Sequence, residues 1–149
     1  MHRTHTCGEL KSKQEGKTVT LAGWVHRRRD HGGLIFIDLR DRYGLTQIVF
    51  DPEFDKESWH AAEGVRTEYV LKVTGEVKKR LKGQENEKMA TGDIEVYVNE
   101  ITILNAAETP PFEIDQDKTV NEELRLTYRY LDLRHERLQR NLMLRHGII

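Results

Sequence analysis

Three consecutive arginines, Arg27, Arg28 and Arg29, precede by a short Gly-containing step the run Leu34-Ile35-Phe36-Ile37-Asp38-Leu39-Arg40-Asp41. Apolar and polar residues alternate through this run, so an extended chain sends Ile35, Ile37 and Leu39 to one side and Phe36, Asp38 and Arg40 to the other. Phe36 therefore falls on the polar side. An aromatic ring on a solvated sheet face, flanked by guanidinium groups, can stack an unpaired base while the cations neutralise its phosphate. RNA suits that chemistry. Taken singly, Phe36 could pack beneath a loop and the arginines could simply end a solvated strand; the combination carries the reading.

On the polar sides of the neighbouring segments, Gln47, Lys78, Arg80 and Glu95 are placed to converge on the same groove. Gln47 and Glu95 would meet base edges with donors and acceptors, and Lys78 and Arg80 would hold phosphates. The polar loop 81–92 adds Gln84, Asn86 and Lys88, which could close over an RNA loop. Catalytic patterns are missing. The seven histidines and the single Cys7 show no zinc-like spacing, and no phosphate-binding Gly-rich loop, nucleophile elbow or HExxH helix occurs. Asp38 and Asp41 could form a carboxylate pair for acid–base work but read better as strand-end acids that are hydrogen-bonded or exposed, His135 and His146 read as residues of a solvated helix face, and Cys7 as a small buried packing residue. No catalytic or metal-ligating residue is assigned.

These side chains need a sheet to hold them. Residues 18–28, 34–41 and 45–50 read as three strands joined by short connections at 30–33 and 42–44, which makes an antiparallel meander. Residues 54–65 have helical spacing, and alternation resumes over 68–80 and 94–104. Five strands with a helix between the third and fourth is the order of an OB-fold, a β-rich Greek-key barrel whose second and third strands bind oligonucleotides. Gly23 inside the long first strand fits the bend of such a barrel, or a local bulge.

The barrel should occupy residues 1–105, followed by a Pro110-Pro111-containing extended linker at 106–120. Residues 121–149 should begin a second, helical domain, with Asn121 as an N-cap and Glu122 and Glu123 beside the positive helix end. The uncovered apolar side of the last helix leads us to expect the front part of a longer protein.

Lys+Arg 24 against Asp+Glu 25 gives a net charge of -1, so polyanion binding requires a local patch rather than bulk charge. A charged fraction of 33% accompanies a mean hydropathy of -0.70, yet the regular alternation predicts a folded chain. The lone cysteine and the lack of a long apolar run make a reducing cytoplasm the expected location.

Four stretches together resemble the N-terminal region of the bacterial aspartyl-tRNA synthetase family over essentially the whole chain. They are Gly23-Trp24-Val25-His26-Arg27-Arg28-Arg29-Asp30, residues 34–41, Met89-Ala90-Thr91-Gly92-Asp93-Ile94-Glu95-Val96, and Tyr128-Arg129-Tyr130-Leu131-Asp132-Leu133-Arg134. The resemblance implies an OB-fold that binds the tRNA anticodon. In the full-length parent, usually a homodimer through its catalytic domain, a class II domain would activate aspartate with ATP and Mg²⁺ and esterify tRNA(Asp). It further implies that Phe36 stacks on the central anticodon uridine, that Gln47 and Glu95 contact anticodon bases, and that Arg29, Lys78 and Arg80 support the loop. Lys78 stands where some relatives carry Arg, keeping the charge but losing the fork, and Gln84 where some carry Asn.

Within the family, strict members charge only tRNA(Asp), and relaxed members also place aspartate on tRNA(Asn), whose anticodon differs in the third base. His31 and Gly83 resemble the relaxed pattern, where strict members commonly carry Leu and a larger residue. Relaxed charging would call for an amidotransferase partner. Two other readings remain open from the residues alone: a sequence-nonspecific single-strand-binding OB module, and a self-contained hydrolase.

Overall fold

The computed structural model describes residues 3–114 and 120–149, which divide into two compact units, Met1–Thr109 and Pro110–Ile149. The first unit is a closed barrel of β1 (Thr18–His31), β2 (Leu34–Asp41), β3 (Gly44–Phe50), β4 (Val70–Lys79) and β5 (Ile94–Asn105), with α1 (Lys56–Glu63) between β3 and β4. Around the barrel the order is β1-β2-β3-β5-β4; β3 and β5 run parallel and the other pairs antiparallel. The expected five-stranded OB-fold is the observed one.

Strict alternation fills the barrel. Val19, Leu21, Val25, Ile35, Ile37, Leu39, Ile48, Phe50, Leu71, Val73, Val77, Ile94, Val96 and Val98 form one buried cluster, with Leu10, Ala62 and Val65 closing it. Cys7 is also fully buried, as expected; burial is the largest cause pushing its thiol far above the ordinary range, with Asp41 adding to it.

β1 is longer than expected because the turn is shorter. Asp30 and His31 still pair with Ile35 and Leu34, leaving only Gly32 and Gly33, with φ of 60° and 81°, as a two-residue hairpin loop. Both positions require positive φ, which glycine supplies at no steric cost. α1 is shorter than the apolar spacing suggested, since Asp55 caps it by accepting from the Ser58 N–H at 2.7 Å. β4 starts at Val70 because Glu68 takes a left-handed φ of 66° that breaks the strand; its carboxylate accepts from Arg40 at 2.8 Å.

Gly23 acts by close approach. A Cβ there would lie 2.3 Å from the Arg40 carbonyl oxygen, while the register shift of β1 falls between Val25 and Arg27. Around this point β1 passes from pairing with β4 (Thr18 to Trp24) to pairing with β2 (Trp24 to His31).

The second unit holds α2 (Glu122–Thr127), α3 (Arg129–Asp132) and α4 (Glu136–Ile148). Asn121 caps α2 as anticipated, accepting from the Glu123 N–H at 2.8 Å. His135, expected on a solvated face, instead caps α4 through its ring nitrogen, 3.2 Å from the Arg137 N–H. The buried Asp132 accepts from Arg125 at 2.8 Å and also pairs with Arg129. Residues 106–114 form no helix or strand; the rest of the expected linker, apart from Val120, lies outside the described residues.

Gly23→Ala must push β1 off β2, and a cost of about 2–3 kcal/mol is expected in urea unfolding, in the range of an overpacked core. Gly64→Ala, where nothing lies within 4 Å of the added Cβ, should stay within about 0.5 kcal/mol of the parent. The hydrogen bond from Arg125, the main cause opposing desolvation, holds the Asp132 carboxyl below its ordinary value. A depressed folded-state pKa contributes stability above the unfolded value of about 3.9 and loses it as pH falls through the folded pKa. Helical content followed by far-UV circular dichroism should therefore fall on acidification, and Asp132→Asn should show a smaller acid-dependent change.

Candidate nucleic-acid interface

The outer face of the barrel carries a continuous row across all five strands. Register places Arg29 opposite Phe36, Phe36 opposite Val49, and Val49 opposite Tyr97, with Tyr97 opposite Glu76. One step along, Arg27 faces Asp38, Asp38 faces Gln47, and Lys78 faces Glu95. Alternation dictates this arrangement, because the inward neighbours Ile35, Ile37, Ile48, Phe50, Val77, Ile94, Val96 and Val98 belong to the apolar core.

Side chains link the row. Arg29 donates to Asp38 at 2.9 Å and to the Gln47 amide oxygen at 3.2 Å, while the Gln47 amide nitrogen donates to Glu95 at 2.9 Å. Gln47 is only 7% exposed, and one donor and one acceptor of its amide are already engaged. One N–H and one lone pair remain for a ligand, so Gln47 both orients its neighbours and can read a base edge. Phe36 stands half-buried beside this chain.

Arg80 lies just past β4, its Nε donating to the Ile94 carbonyl at 3.1 Å and its terminal nitrogen reaching the Met89 sulfur at 3.9 Å. Burial lowers its pKa, opposed by the nearby carboxylates of Glu95 and Asp38, with Arg29 pushing the same way as burial. A guanidinium stays charged through such a shift. The cluster thus alternates in sign, Arg29 and Arg80 against Asp38 and Glu95.

Lys78 is held differently from expectation. Its ammonium lies 4.1 Å from the Tyr97 ring centroid and 4.6 Å from that of Phe54, two rings packed edge to face at 5.7 Å. Cation–π attraction fixes its position at the rim of the row. Desolvation raises the Tyr97 pKa, and the hydroxyl hydrogen-bonds Glu95, whose charge raises it further.

Three expected residues are not brought into the row. Arg28 pairs in register with Ile37, on the core-facing side, and bonds Asp30 at 3.0 Å. Gln84 is exposed in the β4–β5 loop. Asn86 shapes that loop, its side chain accepting from the Lys88 N–H at 3.1 Å and its backbone N–H donating to Gly92 at 2.9 Å. Ser12 and Lys11 moor the loop's far end, through Asp93 and the Ala90 carbonyl. Arg27 is exposed.

His31 sits exposed at the end of β1, and Gly83 has a φ of 88° with open space around it, so backbone conformation alone favours glycine there. Sequence reasoning passed over Tyr97, Phe54 and the reading-face role of Asp38. Tyr97 and Asp38 were legible, each two residues from an assigned residue on the same strand face. Phe54 was absorbed into the apolar spacing of the helix that begins after it. Among the described residues no group of three or more His, Cys, Asp or Glu could hold a metal ion, and no helix is long and apolar enough to cross a membrane.

Comparison with known proteins agrees with the fold. The chain is 55% identical over 148 residues to the aspartate–tRNA(Asp/Asn) ligase of Desulfatibacillum aliphaticivorans, covering 99% of this chain and 25% of that protein. It is 58% identical over 146 residues to the ligase of the same name from Moorella thermoacetica, covering 98% and 24%. The chain thus spans about a quarter of the length of these curated relatives. Among solved structures, asparaginyl-tRNA synthetase from Pyrococcus horikoshii superposes with a TM-score of 0.75 at 32% identity, over 90% of this chain and 30% of that one. Aspartyl-tRNA synthetase from Entamoeba histolytica gives 0.74 at 25% identity, over 87% and 32%. The family profile described as an OB-fold nucleic acid binding domain matches residues 19–104. The chain belongs to this tRNA anti-codon family of OB-fold domains.

Proposed function

We propose that this chain recognises the anticodon loop of tRNA for a longer aspartate–tRNA ligase. The observation that carries the reading is the outer row, in which a half-exposed Phe36 stands beside the hydrogen-bonded chain Arg29, Asp38, Gln47 and Glu95. Phe36 stacks the central base. Gln47 and Glu95 read base edges with their remaining donors and acceptors, and the alternating charges give a wrong edge an unpaired partner. Arg27, Arg29 and Arg80 take the phosphates, Lys78 supports the rim, and Gln84 and Asn86 belong to the loop closing over the RNA. Arg28 keeps a supporting role behind the face.

In the same proposal the remainder of the protein supplies aspartate activation with ATP and Mg²⁺, acylation and homodimer contacts; the described residues offer no fitting metal cluster. The lone buried Cys7 suits a cytoplasmic setting. We further propose relaxed specificity, with tRNA(Asn) accepted beside tRNA(Asp). The exposed His31 and the small Gly83 leave room at the loops, and the relatives carry the name aspartate–tRNA(Asp/Asn) ligase.

Phe36→Ala should weaken anticodon stem-loop binding by about 1–3 kcal/mol, the loss of one stacked base, with the thermal melt unchanged. Unchanged affinity in a folded variant would remove Phe36 from the site. Labelled stem-loops carrying GUC, GUU and an unrelated triplet, titrated at one salt concentration, test the selectivity. Similar binding of the first two and much weaker binding of the third is expected. A strong preference for GUC would leave a strict reader, and equal binding of all three a nonspecific single-strand module.

A further inference from the structure

Beyond the row at Phe36, the same outer face continues along β2 through Asp38 and Arg40 to the β2–β3 turn, roughly 20 Å away at about 3.3 Å per residue. There a cavity of about 370 Å³ is lined by Arg3, Trp24, Asp41, Arg42 and Tyr43, among others. We infer that it is a second RNA-binding site, which takes the sugar–phosphate backbone of the paired stem adjoining the loop held at Phe36. This inference rests on the anticodon-binding proposal and deepens it.

Charge argues for an anion. The guanidinium of Arg3 lies 5.3 Å, and that of Arg42 5.6 Å, from the centroid of the Tyr43 ring, which is 56% exposed. Asp41 is already satisfied: it accepts from Arg3 at 3.1 Å and from the backbone N–H groups of Cys7, Tyr43 and Gly44 at 2.9, 2.7 and 3.1 Å. Arg42 forms no ion pair with a carboxylate among the described residues, and its guanidinium lies over the Tyr43 ring, whose face attracts the cation. Register adds Lys72, opposite the cavity-lining Ala22. The local balance is positive although the whole chain is not.

Chemistry argues for backbone rather than base. The cavity presents cations and ring surfaces, and Asp41, the one carboxylate among its lining residues, is already engaged, unlike the Gln47 and Glu95 chain. A paired stem has its base edges engaged and offers phosphates and riboses outward, which matches. Position argues for the stem on this side. At the other end of β2 the turn is Gly32 and Gly33, Arg28 pairs with Asp30, and Arg27 and Arg29 belong to the Phe36 row that takes the loop.

Arg42→Gln in the 149-residue chain should weaken an anticodon stem-loop roughly five- to tenfold near 0.1 M salt and flatten the log–log salt slope by about one, as loss of one phosphate contact requires. Binding of a single strand holding only the loop nucleotides should not change. Equal weakening of both RNAs would assign Arg42 to the loop and overturn the stem contact; no change in either would overturn the site. Phe36→Ala run in parallel separates the two proposals. It should weaken both RNAs, and failure there with an Arg42 effect intact would sink anticodon stacking alone.

Discussion

Barrel closure through a single shared strand governs this structure. β1 serves β4 with its first half and β2 with its second, and it can do so because backbone meets backbone at Gly23, where no side chain separates β1 from the Arg40 carbonyl. Gly75 plays the matching part between β4 and β5, with a hypothetical Cβ 2.3 Å from the Tyr97 carbonyl oxygen. Those two approaches bring β4 and β5 round to join β3. Without them Lys78 and Glu95 would sit on a sheet edge, far from Phe36.

Closure also explains why a surface so rich in charge is ordered. On adjacent strands, about 4.8 Å apart, Arg27 faces Asp38 and Lys78 faces Glu95, while Arg29 reaches diagonally to Asp38 and Gln47 bridges Arg29 to Glu95. Such pairs add little stability at an exposed surface. Their larger effect is to hold donors and acceptors in fixed directions before a ligand arrives, which lowers the ordering cost of binding.

Much of this was readable in the residues. The inward set at positions 35, 37 and 39 and the outward set at 36, 38 and 40 follow from period-two alternation alone, and the meander of the first three strands follows from their short connections. Arg28 shows the limit of proximity in sequence: three adjacent arginines cannot share one face of a strand, and the middle one turns inward. The Asp41 anchor of the N-terminal segment joins Cys7 to residue 41, a pairing no local pattern encodes. Lys78 was seen as a free cation because its two rings come from other segments, Phe54 before α1 and Tyr97 on β5.

The two tryptophans of the sequence occupy contrasting places on this barrel. Trp59 of α1 donates its indole N–H to the Gly33 carbonyl at 2.8 Å, bracing the β1–β2 turn, while Trp24 lines the cavity beside the β2–β3 turn. Each indole therefore samples one end of β2. Intrinsic fluorescence of single-tryptophan forms would distinguish events at the two ends without any added label, giving the barrel a pair of built-in optical reporters.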